Sequence, residues 1–211
     1  MRRLTGLGGA LWLAALASTA LAQTPVAGPA DGVTSPPTNA VTNAITNAPT
    51  VRPDAPPELA QALPRAVFVG KARLTVWGFD VYDARLWTVP GQSAARYASA
   101  PLALELAYLR DFKAADIADR SLQEMRRSQA IVDADAARWK AELLRVLPDV
   151  RKGDRILGVH RPGAGASFWV NGRLRGESQD VDFARLFFGI WLSPGTSEPK
   201  MREALLTRTG E

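Results

Sequence analysis

Three stretches of the chain alternate apolar and polar residues with the two-residue period of a β-strand. The clearest covers residues 102–109, where the large side chains share one face: Leu102, Leu104, Leu106 and Tyr108. Residues 67–77 and 79–89 alternate less regularly and are separated by Gly78. Strict alternation in the second of these places Asp80 and Asp83 on opposite faces. We therefore predict three strands, the first two joined at a turn.

A helical period follows these strands. Residues 114–129 place one stripe of apolar or small side chains at helical spacing, namely Ile117, Ser121, Leu122 and Met125. Charged residues, including Arg120 and Glu124, are expected around the rest of this helix. A second helix is predicted to be capped by Asp133 or Asp135 and to end at Pro148.

The last third of the chain predicts a hairpin and two more helices. Asn171-Gly172 separates residues 167–170 from 173–175, which is a strong signal for a two-residue hairpin turn. Asp180 or Ser178 is expected to cap a helix with large apolar residues, and Thr196 or Ser197 a final helix. Strands, helices and a hairpin in this order predict an α+β fold, with one mostly antiparallel sheet and helices packed on one face.

The first 57 residues differ from the rest of the chain. Residues 1–22 combine Arg2 and Arg3, a short apolar run and the site Ala20-Leu21-Ala22, which are the parts of a secretory signal peptide. A membrane anchor is the alternative, but the run is too short and too rich in small residues for a stable span. Residues 23–57 are dominated by Thr, Pro, Ala and Asn and predict a disordered linker. We expect cleavage after Ala22, a periplasmic or secreted location, and one folded domain over residues 58–211.

Composition narrows the possible chemistry. The chain of 211 residues has no Cys and one His, which excludes disulfide scaffolds, iron–sulfur sites, thiol catalysis and multi-His metal sites. We therefore expect no metal and no cofactor. The formal net charge of +5 has no concentrated basic patch, so no nucleic-acid partner is expected. His160 lies in a predicted strand, at residues 155–161, where a strand-edge or half-buried packing role is expected.

Arg73, Tyr82 and Tyr108 come from three strands that can be neighbours, and these side chains can converge on one site. A guanidinium binds a carboxylate or an enolate oxygen, and phenolic hydroxyls add hydrogen-bond donors. The later helix supplies large apolar groups: Phe183, Phe187, Phe188 and Trp191. An apolar pocket with one charged end suits an amphipathic acid. The alternative is that the aromatic residues fill the core and Arg73 lies on the surface.

Several motifs resemble chalcone isomerase-like proteins. They are Gly70-Lys71-Ala72-Arg73, the run from Gly78 through Trp87, and the strand end from Tyr108 through Phe112. The segment from Phe183 through Ser197 resembles the close of the bacterial exported branch. The resemblance covers residues 67–206. It implies an open-faced β-sandwich, in which a large antiparallel sheet curves around a helical layer and a ligand cleft lies between them.

The resemblance also implies roles for individual residues. In the plant enzymes an arginine on an early strand assists the cyclisation of a chalcone to a flavanone, and this arginine looks like Arg73. The other polar positions of the plant enzymes' site fall on or near five residues of this sequence, two of which are apolar: Tyr82, Tyr108, Ile117, Glu124 and Leu186. Because Ile117 and Leu186 cannot orient a hydroxyl, the sequence looks more like relatives without isomerase activity, which bind fatty acids through an arginine and a tyrosine.

Our leading hypothesis is an exported, non-catalytic protein that binds a fatty acid or similar amphipathic acid, with Arg73, Tyr82 and Tyr108 as the ligand-binding residues. A first alternative is an intramolecular lyase of the chalcone isomerase type, acting on an enone or flavonoid-like substrate with Arg73 as the electrostatic catalyst. A second is a protein-interaction module of the cell envelope, tethered by the linker.

Overall fold

Six strands form one antiparallel sheet, in which every strand pairs with its neighbours in sequence, in the order β1 to β6. The computed structural model describes residues 55–207, so the predicted signal peptide and nearly all of the predicted linker lie outside the described residues. The strands are β1 Val67–Val76, β2 Phe79–Thr88, β3 Leu102–Tyr108, β4 Arg155–Arg161, β5 Gly165–Val170 and β6 Arg173–Ser178. The predicted antiparallel sheet and α+β class are confirmed.

The described residues contain five α-helices and one short 3-10 turn at Ala94–Arg96. The helices are α1 Leu59–Ala62, α2 Ala114–Ser128, α3 Asp133–Val146, α4 Val181–Leu192 and α5 Pro199–Leu206. Of these, α2 and α3 connect β3 to β4, while α4 and α5 follow β6. The short α1 was not predicted, because its four residues are too few to show a helical period.

Asp180 caps α4, as predicted: its carboxylate accepts hydrogen bonds of 3.1 and 2.9 Å from two backbone N–H groups of the first turn. The predicted caps of α3 and α5 are wrong. Val132 and Glu198 occupy these N-cap positions without a side-chain hydrogen bond. Asp133 lies instead in the first turn of α3, where its negative charge interacts favourably with the positive end of the helix dipole. The fixed φ of Pro199 suits the first residue of α5.

One face of the sheet, here called the helix-facing face, packs against α3, α4 and α5 in the main core, and α2 packs on α3 and α4. Its sheet residues are apolar and buried, and include Leu74, Ala84, Leu86, Leu104, Leu106, Ile156 and Phe168. The approach is closest at Gly70, where a Cβ atom would lie only 2.5 Å from the carbonyl oxygen of Leu205 in α5. Glycine at this position therefore lets α5 lie directly on β1.

The other face, here called the outer face, carries a smaller apolar cluster. Leu59, Ala62 and Leu63, in and just after α1, pack there against residues of β2, β3, β4 and β5: Trp87, Ala103, Leu157, Val159 and Trp169. The expectation that the helices lie on one face of the sheet therefore fails for α1. This short helix covers part of the face that the other packed helices leave open.

His160 is fully buried in β4, between β3 and β5, and not at a strand edge. Its ring lies 5.1 Å from the ring of Phe188 on the helix-facing side, and neither ring nitrogen has a hydrogen bond of normal geometry. Burial lowers the pKa of the imidazole, and the nearby backbone of Ala98 and Gly165 offsets part of that effect. The predicted packing role is therefore consistent with its position, but the side chain is buried more deeply than expected.

We predict that His160 makes the domain less stable in acid. Below a pH of about 6.5 the unfolded chain binds a proton that the folded imidazole resists, so the free energy of unfolding falls as the pH falls. His160→Leu removes the titrating imidazole. The free energy of unfolding should therefore lose a pH dependence of up to about 1.4 kcal/mol per pH unit. Urea unfolding of both proteins at neutral and mildly acidic pH measures the difference. The same pH dependence in the two proteins would contradict the prediction.

Candidate functional site

Arg73 lies on the outer face of the sheet, in an exposed ion-pair network. Its guanidinium donates to both carboxylate oxygens of Asp83, at 2.6 and 2.8 Å, and to Asp80 at 2.8 Å. Thr75 also donates to Asp80, at 2.8 Å. This hydrogen bond and the charge of Arg73 lower the pKa of Asp80, and the two carboxylates raise the pKa of Arg73. The expected separation of Asp80 and Asp83 on opposite faces is therefore wrong.

An irregularity between β1 and β2 explains this network. The register pairs Arg73 with Asp83 and then shifts between Leu74 and Thr75, so that Thr75 pairs with Asp80. A bulge of this kind breaks the two-residue alternation, which brings both carboxylates to the same guanidinium. The expected convergence of Arg73 with the two tyrosines does not occur, since the neighbouring pair, Leu74 and Tyr82, contacts the main core on the other face.

A second charged group on the outer face is buried. Glu105 has no solvent exposure and binds two arginines, Arg85 at 2.5 Å and Arg155 at 2.8 Å. Arg155 also lies 3.7 Å from the buried carboxylate of Glu58, just before α1. The network joins β2, β3, β4 and the residue before α1. Both oxygens of Glu105 have an arginine partner, whereas Oε2 of Glu58 is buried without a hydrogen bond. We interpret the ion pairs of Glu105 as structural.

Tyr82 and Tyr108 are adjacent on the helix-facing side, where they pair across β2 and β3. Their rings are 6.0 Å apart at an angle of 69°. The hydroxyl of Tyr82 accepts a hydrogen bond of 2.9 Å from the indole N–H of Trp191 in α4. Burial raises the pKa of both phenols, so both remain protonated donors at neutral pH.

Charged side chains of α2, and Glu198 just before α5, contribute to the electrostatic environment of Tyr82. Glu124 is buried and forms an ion pair of 2.5 Å with Arg120. The charges of Glu198 and Glu124 contribute to raising the pKa of Tyr82. Partial burial and the charge of Glu124 raise the pKa of Glu198, although Glu198 as a whole is exposed. We call Tyr82, Trp191, Arg120, Glu124 and Glu198 the Tyr82 cluster.

Helix α2 was expected to turn Glu124 away from the core, and this is wrong. Glu124 follows Ile117 by seven residues, or two helical turns, so the two side chains lie on the same stripe. That spacing was the available signal, and the charge of Glu124 obscured it. Ile117 and Leu186 are both buried in the main core. Trp191 was expected to be only an apolar residue, and its N–H contributes the hydrogen bond to Tyr82.

Comparison with known proteins identifies the fold family. A family model described as chalcone isomerase-like matches residues 69–207, which is most of the described domain. The chain belongs to the chalcone isomerase-like family. This chalcone isomerase-like chain is also 28% identical, over 142 residues, to an uncharacterized protein of Haemophilus influenzae, covering 67% of this chain and 68% of that protein.

A solved structure shares the chalcone isomerase-like fold. It is a fatty-acid binding protein of Arabidopsis thaliana, with a TM-score of 0.53, 11% sequence identity, and coverage of 67% of this chain and 87% of the other. At that identity the likeness shows the fold alone. Within residues 55–207 we find no cluster of three or more acidic or histidine side chains that could hold a metal, and no helix long and apolar enough to cross a membrane.

We predict that Glu105→Gln destabilises the domain by about 3 kcal/mol, because two arginines then share a buried site without a negative partner. Asp83→Asn is the matched control: it weakens an exposed ion pair and is expected to cost less than about 1 kcal/mol. Urea unfolding at neutral pH compares the two variants with the natural protein. Equal losses would show that the Glu105 network contributes no more than a surface ion pair.

Proposed function

We propose that this domain binds a small amphipathic ligand, a fatty acid or a similar amphipathic acid, between the sheet and the helices. The observation that carries the proposal is the Tyr82 cluster itself: a phenol, an indole N–H and the buried carboxylate of Glu124 with its partner Arg120, beside an otherwise apolar layer. Polar groups in such a layer are costly unless they have a partner or a use, and a ligand site is made of a few such groups among apolar ones.

The apolar part of the ligand would follow the aromatic side chains of α4. Trp191, Phe187 and Phe183 are spaced by four residues, with ring centroids 5.4 and 5.8 Å apart along the row. Phe187 also contacts Phe168 of β5 at 5.3 Å, so the row lies against the sheet. The row begins at Trp191, whose N–H donates a hydrogen bond to Tyr82. The proposed site therefore has a polar end, followed by a row of apolar rings.

The structural neighbour supports the same class of ligand. The Arabidopsis protein is named for fatty-acid binding, and its fold matches over 87% of its length. We transfer that ligand class to this chain as part of the proposal. The isomerase alternative depended on Arg73 as the electrostatic catalyst. Arg73 lies on the outer face with its own carboxylate partners, which is why we propose binding and not turnover, and why we place Tyr82 and Tyr108 at the site without Arg73.

The proposal predicts saturable binding of dodecanoic acid, measured by displacement of a fluorescent fatty-acid analogue from the purified protein. Tyr82→Phe removes one hydrogen bond to the polar end and should weaken binding about fivefold. Arg73→Ala is the control on the outer face and should leave the affinity unchanged. No saturable binding of any long-chain acid would overturn the proposal, and a loss in Arg73→Ala alone would move the polar end to the outer face.

We also propose that the protein is exported and cleaved after Ala22, as the sequence of residues 1–22 indicates. Intact-mass measurement of protein from the periplasmic fraction of its native cell should give a chain that begins at Gln23. Ala22→Leu should make the precursor accumulate, because the cleavage site needs a small residue there, while Leu21→Ala should be processed normally. An uncut chain in the cytosolic fraction would refute export.

A further inference from the structure

The turn between β1 and β2 contains a tryptophan in a strained backbone conformation. Trp77 and Gly78 form a two-residue turn with φ angles of 49° and 81°. The turn between β5 and β6 has nearly the same φ angles, 49° and 83°, but its residues are Asn171 and Gly172. Asparagine tolerates this left-handed conformation, whereas a bulky side chain is strained in it. The tryptophan therefore destabilises its turn, and strain of this kind indicates a use for the side chain.

The aromatic rings at this turn are largely exposed to solvent. Trp77 is 66% exposed and Phe79 is 54% exposed. Within residues 55–207, the ring of Trp77 has no hydrogen bond and no contact with another ring. The guanidinium of Arg110 lies over the ring of Phe79, at 4.4 Å from the ring centroid. We call Trp77, Phe79 and Arg110 the Trp77 tip.

The loops beside the Trp77 tip carry further cations. Antiparallel pairing places the β1–β2 turn at the same end of the sheet as the loop after β3 and the loop before β4. Phe112 and Val150 join these two loops through a pair of backbone hydrogen bonds of 2.9 Å. The loops present four exposed basic residues: Arg110, Lys113, Arg151 and Lys152.

The acidic residues at this end are engaged within the protein. Each of the four accepts a hydrogen bond from a neighbouring residue: Asp80, Asp111, Asp149 and Asp154. Asp149 forms an ion pair of 2.8 Å with Lys113, whereas among the described residues the side chains of Arg110, Arg151 and Lys152 form no direct ion pair. Since acids and bases are equal in number, we expect contacts with individual anionic groups and not a long-range attraction.

We propose that the Trp77 tip docks on a lipid surface, with the two aromatic rings among the head groups and Arg110 against lipid phosphates. Tryptophan suits this interface because its ring is apolar and its N–H is polar. Apolar side chains and neighbouring cations are the two signals that together hold a protein reversibly on a membrane. This docking goes beyond the proposed function and does not depend on a bound fatty acid.

The size of the Trp77 tip favours a lipid surface over a protein partner. Two aromatic side chains bury at most about 500 Å², whereas a stable protein interface buries about 800 Å² on each partner. The exposed neighbours of the rings are polar or charged, so the apolar area does not extend beyond the turn: Thr75, Asp80 and Arg110. A bilayer needs no matching partner surface, because side chains enter it individually.

The Trp77 tip also lies on the same side of the sheet as the Tyr82 cluster. Phe79 pairs with Val76, which packs against the main core, so Phe79 belongs to the helix-facing face. Tyr82 follows Phe79 by three residues, or about 10 Å along β2. Docking through the tip therefore brings the helix-facing side close to the lipid, where amphipathic molecules collect.

Vesicle binding by the protein purified from its native cells tests the proposal. The vesicles contain phosphatidylethanolamine and phosphatidylglycerol in equal amounts and no fatty acid, and sedimentation measures the bound fraction as the lipid concentration rises. Trp77→Asn gives this turn the residue found in the other hairpin. We expect it to weaken vesicle binding about tenfold or more and to raise the unfolding temperature. A tryptophan retained for the fold would have the opposite effect on unfolding.

Val132→Asn is the matched control. Val132 is also highly exposed, at 65%, and it precedes α3. Helix α2 separates it from the loop after β3 by 15 residues, or about 22 Å, so it lies far from the Trp77 tip. We expect this variant to bind vesicles as the natural protein does. Arg110→Gln removes one cation from the tip and should weaken binding about fivefold.

Three results would overturn the docking: no binding by the natural protein, equal binding by Trp77→Asn, or an equal loss in Val132→Asn. Self-association that Trp77→Asn abolishes, in the absence of vesicle binding, would also overturn it and would assign the tip to a second copy of the chain. The proposed function is tested separately. Tyr82→Phe should leave vesicle binding unchanged, and Trp77→Asn should leave the affinity for dodecanoic acid in solution unchanged.

Discussion

Pairing between β1 and β2 distributes the polar side chains of this domain over two faces of one sheet. The register pairs Arg73 with Asp83 on one face and Leu74 with Tyr82 on the other. Neighbouring residues of a strand point in opposite directions, so a guanidinium and a phenol that are close in the sheet do not meet. The proposed ligand site follows from this constraint, because the helices cover the face with Tyr82 and leave Arg73 exposed.

The buried carboxylates Glu105 and Glu124 differ in how completely they are partnered. On the outer face, Glu105 is bound by two arginines from the adjacent strands, so its charge is balanced within the sheet. On the helix-facing side, Glu124 has one paired oxygen and one that is left without a hydrogen bond. Removing a partner from Glu105 is expected to cost stability, because the two arginines would then share a buried site without a negative charge.

The sequence was sufficient to predict the antiparallel sheet but not the irregularities in its strand pairing. The alternation ending at Tyr108 and the turn at Asn171-Gly172 predicted antiparallel strands, since both signals are local. The bulge near Leu74 has no glycine or proline to mark it, and it decides where Asp80 points. Glu124 was placed with the polar residues of its helix because charge outweighed its spacing from Ile117. Such features depend on pairing and packing between distant segments, which a local pattern does not contain.

The short helix α1 and the residues before it are held against one side of the sheet. Ala55 and Leu59 pack on the outer face, on the side of the sheet opposite the Tyr82 cluster. A label attached directly to Ala55 would therefore lie at the outer face and would report on that face without entering the main core.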